Sequence, residues 1–373
     1  MQSVTKYIGL DVSKESIAVA IADAGREEPR FYGMITNSEK TLLSCLSRLG
    51  GKGIHLEVCY EAGPTGYAIF RWLQKEGISC SVIAPSLIPR KPGDRVKTDR
   101  KDALRLAQLL RAGELTSIYV PNEEDEALRD LVRGREDTKE DLLRAKHRIL
   151  KFLMRHHIVA PKGKKWTKKY MNWLNTLTFA NGNHQIVFQE YLRAMQEEEM
   201  RLKRLEEQIA REAKEGHRAV LIQALQVLKG VALLTAVTLV AEIGTFLRFP
   251  KASNFMGYTG LVPSEYSTGQ TTRKGKTTKA GNKHVRRIVV ESAWSYRYRP
   301  AVKGEILKRQ ENQPAEIQQI AWHCQHRLHS KYLKMVRNRG MHKNKVITAV
   351  ARELSAFIWE IACVIERREL LKA

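Results

Sequence analysis

Residues 7–14 read YIGLDVSK, residues 54–67 read IHLEVCYEAGPTGY, and residues 98–107 read TDRKDALRLA. In the first stretch an apolar run over residues 7–10 ends at Asp11, and in the second a run over residues 54–60 ends at Glu61. Short apolar runs that stop at a polar or turn residue read as strands. Outward from these, residues 17–22 and 30–35 read as two more strands, and 80–83 as a short one. Residues 42–49, 67–75 and 100–112 have helical spacing. Three strands followed by alternating helix and strand is the order of a ribonuclease-H-like α/β fold, and it assigns residues 1–120 to one domain.

After Pro121 and Asn122 the composition shifts to Leu, Arg, Lys and Glu at helical spacing. Two long helical stretches, roughly residues 123–157 and 185–227, flank a basic loop containing APKGKKWTKKYMNW. Two such helices suggest an antiparallel coiled-coil arm over residues 121–222, suited to dimerisation or to gripping nucleic acid. Residues 223–373 form the third predicted unit, mainly helical, with a Gly- and Thr-rich basic stretch over 260–281. The fold class expected is therefore α/β plus all-α.

The chain has 373 residues, with 64 Lys and Arg against 40 Asp and Glu, a formal net charge of +24. A soluble core needs no such excess, whereas a polyanion would neutralise it and release counterions. Nucleic acid is the leading partner on this ground, ahead of a ribosomal or anionic membrane surface. Cysteines at 45, 59, 80, 324 and 363 form no CxxC pair, so no thiolate zinc site is suggested and a reducing cytoplasm is expected. The longest apolar run, residues 231–241, is too short to span a bilayer, and no signal peptide is evident.

Asp11 and Glu61 both end strands, where functional groups often sit in α/β sheets. Asp99 and Asp102, three apart in a helical stretch, share a face with Cβ atoms ~5–6 Å apart. Each acid alone reads more readily as a turn or cap residue, with Thr98 and Asp99 as a helix cap. Together, in a ribonuclease-H-like order, four converging carboxylates call for a hard cation, Mg²⁺ or Mn²⁺. Such a site can clamp the attacking and leaving oxygens of a phosphodiester. Asp23 and Asp94 read as solvated loop acids.

A second constellation is GLVPSEYSTGQTTRKGKTTKAGNKHVRR, residues 260–287. Ser267 precedes Thr268 and Gly269 in a predicted turn. A serine hydroxyl is a weak nucleophile without a base or a stabilising field. Arg273, Lys274, Lys276, Lys279, Lys283, Arg286 and Arg287 would supply that field and hold a phosphate. The plainer reading is a flexible phosphate-binding loop in which the serine merely forms the turn. Ser264 is a competing hydroxyl. Lys164, Lys165 and Lys168 in the arm loop are further nucleic-acid contacts, interleaved with Trp166, Tyr170 and Trp173, which either stack bases or pack on a helix. Trp294, Tyr296 and Tyr298 admit the same two readings. LKGVALLTAVTLVAEIG suggests a helix-hairpin-helix element around Gly230 or an ordinary helix pair. WHCQHRLH, with His323, Cys324, His326 and His329, lacks the ligands to complete a metal site and reads as a solvated or nucleic-acid-facing helix.

Two blocks then carry a resemblance. YIGLDVSK with YEAGPTGY and VKTDRKDA is similar to the RuvC-like domain of the DEDD insertion-sequence transposases. AEIGTFLRFPKASNFMGYTGLVPSEYSTGQTTRKGKTTKAGNKHVRRIVVESAW is similar to their C-terminal transposase domain. The chain thus resembles a family that includes the bridge-RNA-guided recombinases, over nearly its whole length. The resemblance implies an acidic tetrad of Asp11, Glu61, Asp99 and Asp102, and a nucleophilic serine at Ser267, where many relatives carry two serines before the glycine. It implies a covalent phosphoserine link to DNA, Mg²⁺-assisted cleavage or rejoining, and a noncoding guide RNA that selects donor and target DNA. It also implies assembly as a homodimer or homotetramer, with no membrane attachment. Two other functions fit the residues: a metal-dependent junction nuclease that uses the acids alone, and a nucleic-acid-binding scaffold without chemistry.

Overall fold

The computed structural model describes residues 4–50, 54–89, 98–269 and 271–372. Asp94 lies outside the described residues. The chain divides into two compact units, Met1–Val120 and Pro121–Ala373.

In the first unit β1 (Val4–Val12), β2 (Ser16–Asp23) and β3 (Arg30–Thr36) form an antiparallel meander. Helix α1 (Glu39–Leu49) then leads to β4 (Ile54–Glu61), which lies parallel to β1. Helix α2 (Ala68–Lys75) leads to β5 (Ser79–Ile83), parallel to β4, and α3 (Asp99–Arg111) closes the unit. The sheet order β3-β2-β1-β4-β5 is that of the ribonuclease-H-like fold.

Side chains alternate across a strand, so each strand serves two faces. Ile8, Leu10, Ile17, Val19 and Ile21 point to one face and bury against Leu42 and Leu46 of α1 and Ile69 and Leu73 of α2. Each such side chain contributes ~1.5–3 kcal/mol by leaving water. The opposite face is lined with small residues: Gly9, Ala18, Ala20 and Ala22. That lets α3 settle close to the sheet through Ala103 and Ala107. The approach is closest at Gly9, where a Cβ would run into the Ala103 carbonyl and the Ala107 amide.

In the second unit α4 (Glu123–Arg155) pairs with α6 (Gly182–Glu215), with α5 (Lys168–Thr176) between them in the chain. Ion pairs Arg135–Glu206 and Lys146–Glu199 fix the pair as antiparallel. One end packs Ile149, Phe152, Phe188 and Met195 around Tyr170 and Leu174 of α5. The other end, through Leu128, Val132, Ile209 and Ala213, joins the core of the C-terminal helices. These helices are α7 (Ala219–Leu225), α8 (Leu233–Ile243), α9 (Ala252–Tyr258), α10 (Lys283–Ala293), α11 (Glu305–Gln310), α12 (Ala315–Leu333) and α13 (Lys343–Leu370). Between α9 and α10 the strands β6 (Pro263–Thr268) and β7 (Thr271–Thr277) form an antiparallel ribbon. No helix among the described residues is long and apolar enough to cross a membrane.

Three local expectations differ from the structure. The basic stretch between the long helices is not all loop: Thr167 caps α5, its hydroxyl accepting from the Tyr170 amide at 3.3 Å. The second long stretch is two helices, since α6 ends at Gly216 and α7 follows after Arg218. Asp23 is not merely solvated; it pairs with Arg30 at 3.4 Å.

Candidate active site

The acids gather by strand register. Leu10 lies beside Tyr60 across the parallel β1–β4 pair, so the next step sets Asp11 beside Glu61 at the end of both strands. By alternation Asp11 shares a face with Gly9, and Glu61 with Cys59. That is the face of α3: Gly9 meets Ala103 and Ala107, and the Cys59 thiol donates to the Leu106 carbonyl at 3.7 Å. The direction of α3 follows from its last turn. Arg111 donates to the carbonyls of Asp23 at 3.1 Å and Glu27 at 2.7 Å. Asp23 pairs with Lys6 near the start of β1, so α3 begins at the opposite end, where Asp11 and Glu61 lie. Thr98 caps it, its hydroxyl accepting from the Lys101 amide at 3.3 Å. Asp99 and Asp102 occupy the first turn, where the helix dipole also favours carboxylates. Asp99 is exposed, while Asp11, Glu61 and Asp102 are half-buried.

All four predicted acids therefore belong to one edge of the first unit. They do not form a closed cage: among the described residues no three His, Cys, Asp or Glu side chains stand together closely enough to hold a metal ion. The donor set, carboxylate oxygen only, fits a hard divalent cation, and a bound cation would have to draw these side chains inward.

The serine stretch is a strand pair, not a turn. Ser267 lies in β6, exposed, directly across from Thr272 of β7. Its hydroxyl donates to the Glu265 carboxylate at 2.7 Å. Only Gly269 of the described connection shows turn geometry, with a φ of 51°. Arg273, Lys274 and Lys276 are exposed on β7, and Lys279 and Lys283 are exposed beyond it. Ser264, the competing hydroxyl, faces Gly275 on the other strand.

The ribbon springs from a fixed base. Gly281 packs so tightly on the Tyr258 carbonyl that a Cβ would overlap it, and Gly260 meets Ala280 in the same way. Asn282 caps α10 and donates to Glu242 of α8 at 2.6 Å. Arg133 of α4 donates to that same carboxylate at 2.8 and 3.0 Å. Burial acts to raise the Glu242 carboxyl, but the hydrogen bonds from Arg133 and Asn282 outweigh it and hold the group below the usual carboxylate range. Two of the predicted phosphate ligands have bonding partners within the protein. Arg286 donates to the carbonyls of Thr259 at 3.3 Å and Ala280 at 3.0 Å. Arg287 pairs with Glu136 of α4, which also bonds His284 at 2.6 Å.

Among the aromatic residues, Tyr170 is buried in the arm core and Tyr296 in the C-terminal core, so neither is available to stack bases. Cys324 is buried and its thiol donates to the Tyr296 hydroxyl at 3.3 Å. Gly230 is packed on Ser292 and Ser295. Lys164, Lys165 and Lys168 are exposed near the α5 end of the arm. Sequence reasoning missed Glu265, Glu242 and Glu136. Only Glu265 left a signal, standing two residues before Ser267 and so on the same side of any strand there.

Residues 8–158 match the DEDD transposase family of the IS110 type, described as Transposase. Residues 222–304 match the family described as Transposase IS116/IS110/IS902. The chain is 43% identical over 357 residues to the y4qE protein of Sinorhizobium fredii, covering 95% of this chain and 88% of that protein. It is 32% identical over 329 residues to the transposase for insertion sequence element IS1533 of Leptospira borgpetersenii, covering 87% of this chain and 95% of that one. It is 25% identical over 284 residues to the transposase for insertion sequence element IS1328 of Yersinia enterocolitica, covering 71% and 82%. With acids on a ribonuclease-H-like sheet edge and a basic serine-bearing ribbon, the chain belongs to the IS116/IS110/IS902 family of insertion-sequence transposases.

Proposed function

We propose that this transposase cuts and rejoins DNA through the Ser267 hydroxyl, with Asp11, Glu61, Asp99 and Asp102 forming a Mg²⁺-dependent second site. The observation that carries the reading is the exposed Ser267, held on a basic ribbon whose base is locked by Glu242, Asn282 and two close-packed glycines. In the forward step the Ser267 oxygen bonds to a DNA phosphorus, one P–O bond of the strand breaks, and the released hydroxyl takes up a proton. Rejoining is the reverse, with a hydroxyl of another strand displacing the serine, so the bond energy is conserved without a nucleotide cofactor. Arg273, Lys274, Lys276, Lys279 and Lys283 hold the phosphate backbone, with Arg286 and Arg287 shaping the site behind them. Lys164, Lys165 and Lys168 extend the contact along the arm. When bound at the acidic edge, Mg²⁺ would neutralise the carboxylates and polarise a phosphate oxygen.

The net charge of +24 supports a large nucleic-acid partner. With the resemblance to bridge-RNA-guided recombinases, it favours donor and target DNA selected by a noncoding guide RNA. The resemblance also favours a homodimer or homotetramer whose protomers share the two sites, and the dispersed cysteines favour a cytoplasmic setting. The test is to incubate the full chain with Mg²⁺, DNA of its own element's ends and RNA transcribed from the element's flank, then quench in denaturant. A DNA-linked peptide containing Ser267, lost in Ser267→Ala and with DNA binding retained, is the expected result. Cleavage that survives Ser267→Ala but is lost in Asp11→Asn would instead establish a nuclease acting through the acids alone, and DNA binding without cleavage or adduct in the wild-type chain, unchanged in both variants, would leave only a scaffold.

A further inference from the structure

In the β6–β7 ribbon Glu265 and Ser267, two residues apart, project on the same side. The register puts Lys274 across from Glu265 and Thr272 across from Ser267, so these four side chains make one patch. Opposed Cβ atoms in such a pair stand ~4.5–5.5 Å apart, near enough for the groups to act on one phosphate. Within the patch the Ser267 hydroxyl donates a hydrogen bond to the Glu265 carboxylate, with 2.7 Å between the oxygens. All four residues are exposed, so neither hydroxyl nor carboxylate is there to fill a core. A hydroxyl–carboxylate contact buried in no core does little for stability. A hydroxyl that must attack a phosphodiester, by contrast, needs an acceptor for its proton.

We propose that Glu265 is the general base for Ser267, and that Lys274 across the ribbon neutralises the phosphate that Ser267 attacks. This rests on the reading of Ser267 as nucleophile. As the Ser267 oxygen bonds to phosphorus, its proton passes to Glu265. The P–O bond to the leaving strand breaks, and the leaving oxygen is protonated from Glu265 or from water. On rejoining, the incoming hydroxyl loses its proton and the serine oxygen recovers one through the same carboxylate. Lys274 offsets the repulsion that a carboxylate would otherwise exert on an approaching phosphate, which explains why an acid is tolerated within a basic ribbon. Thr272, with a hydroxyl beside the attacking oxygen, is placed to donate to a phosphate oxygen.

The test is the single-turnover rate of Ser267–DNA adduct formation across pH, with the full chain, the element-end DNA and the flank RNA. Glu265→Gln is expected to slow adduct formation by ~10²-fold or more and to change its pH profile. Glu265→Asp should restore part of both, with DNA affinity unchanged in each variant. An adduct on Ser267 that forms in Glu265→Gln at the wild-type rate, with the same pH dependence, overturns the role of Glu265 and leaves Ser267 standing. A wild-type adduct on any other residue overturns the nucleophile and this proposal together. A Glu265→Gln variant slowed only through weaker DNA binding, with its pH profile intact, also overturns it, since a base would change the profile.

Discussion

At the scale of single residues, Gly9 shows how a side chain's absence positions chemistry. Its Cα side carries the Ala103 carbonyl and the Ala107 amide, with the Leu106 Cβ 2.9 Å from where a Cβ would sit. Gly9→Ala should therefore push α3 off the sheet, costing about 1–3 kcal/mol in a urea melt. It should also lower activity, since Asp99 and Asp102 ride on that helix. Gly134, inside α4 with open space where a Cβ would stand, is the control. Gly134→Ala should be neutral or stabilising by up to about 1 kcal/mol. Asp11, Glu61 and the Thr98 cap were legible in the sequence because strand ends and helix caps are local signals. The partners of Arg287, Arg286 and Asn282 were not. Each depends on residues distant in sequence, and a run of cations looks the same whether it faces DNA or a glutamate.

At the scale of elements, buried ion pairs tie the long helix α4 to its neighbours. Asp125, buried in the first turn of α4, accepts from Arg218 at 2.8 and 2.6 Å and bonds His217 at 2.8 Å. Burial acts to raise the Asp125 carboxyl, yet the hydrogen bonds from Arg218 and His217 prevail and its pKa is lowered. A depressed carboxyl contributes stability above its unfolded pKa of about 4, which is lost as pH falls through the folded value. Glu242 acts in the same direction. Arg218→Met should then cost about 3 kcal/mol at neutral pH, because Asp125 stays buried with its main partner gone. The same substitution should cost much less once the carboxylates are protonated, as chemical melts at pH 7 and pH 3 would compare. The strands and helices of the first unit were readable because each has an apolar face at its own period. The β6–β7 ribbon was not: PSEYST and TTRKGKT have no apolar face, and only their threonines and Tyr266 hint at strand. The α5 helix was hidden for a related reason, its two buried residues Tyr170 and Leu174 following a basic run with lysines at 162, 164, 165, 168 and 169.

At the scale of the whole molecule, two exposed cationic surfaces of the second unit, the ribbon and the α5 end of the arm, contribute to the charge excess. DNA affinity should fall steeply with salt, and fluorescence anisotropy across a salt series would measure the slope. Replacing Arg273, Lys274 and Lys276 together by Ala should reduce the slope of log K against log salt by about 0.9 for each phosphate that is no longer neutralised. Arg286→Ala should leave that slope nearly unchanged and lower thermal stability instead, because its guanidinium holds the Thr259 and Ala280 carbonyls. The partner class was visible in the composition, whereas which cations bond to neighbouring residues needed coordinates.

The fit of Ser264 over Gly275 has a last consequence. Ribbons that are polar on both sides have little to choose between neighbouring alignments. Here a bulge between Pro263 and Glu265, and a glycine that leaves room for one hydroxyl, act as a notch. Fill the notch with a methyl group and β7 is free to slide by one position, placing Arg273 or Gly275 where Lys274 had stood. The smallest side chain in the ribbon would then be the one that decides whether an attacking alcohol meets its counter-charge.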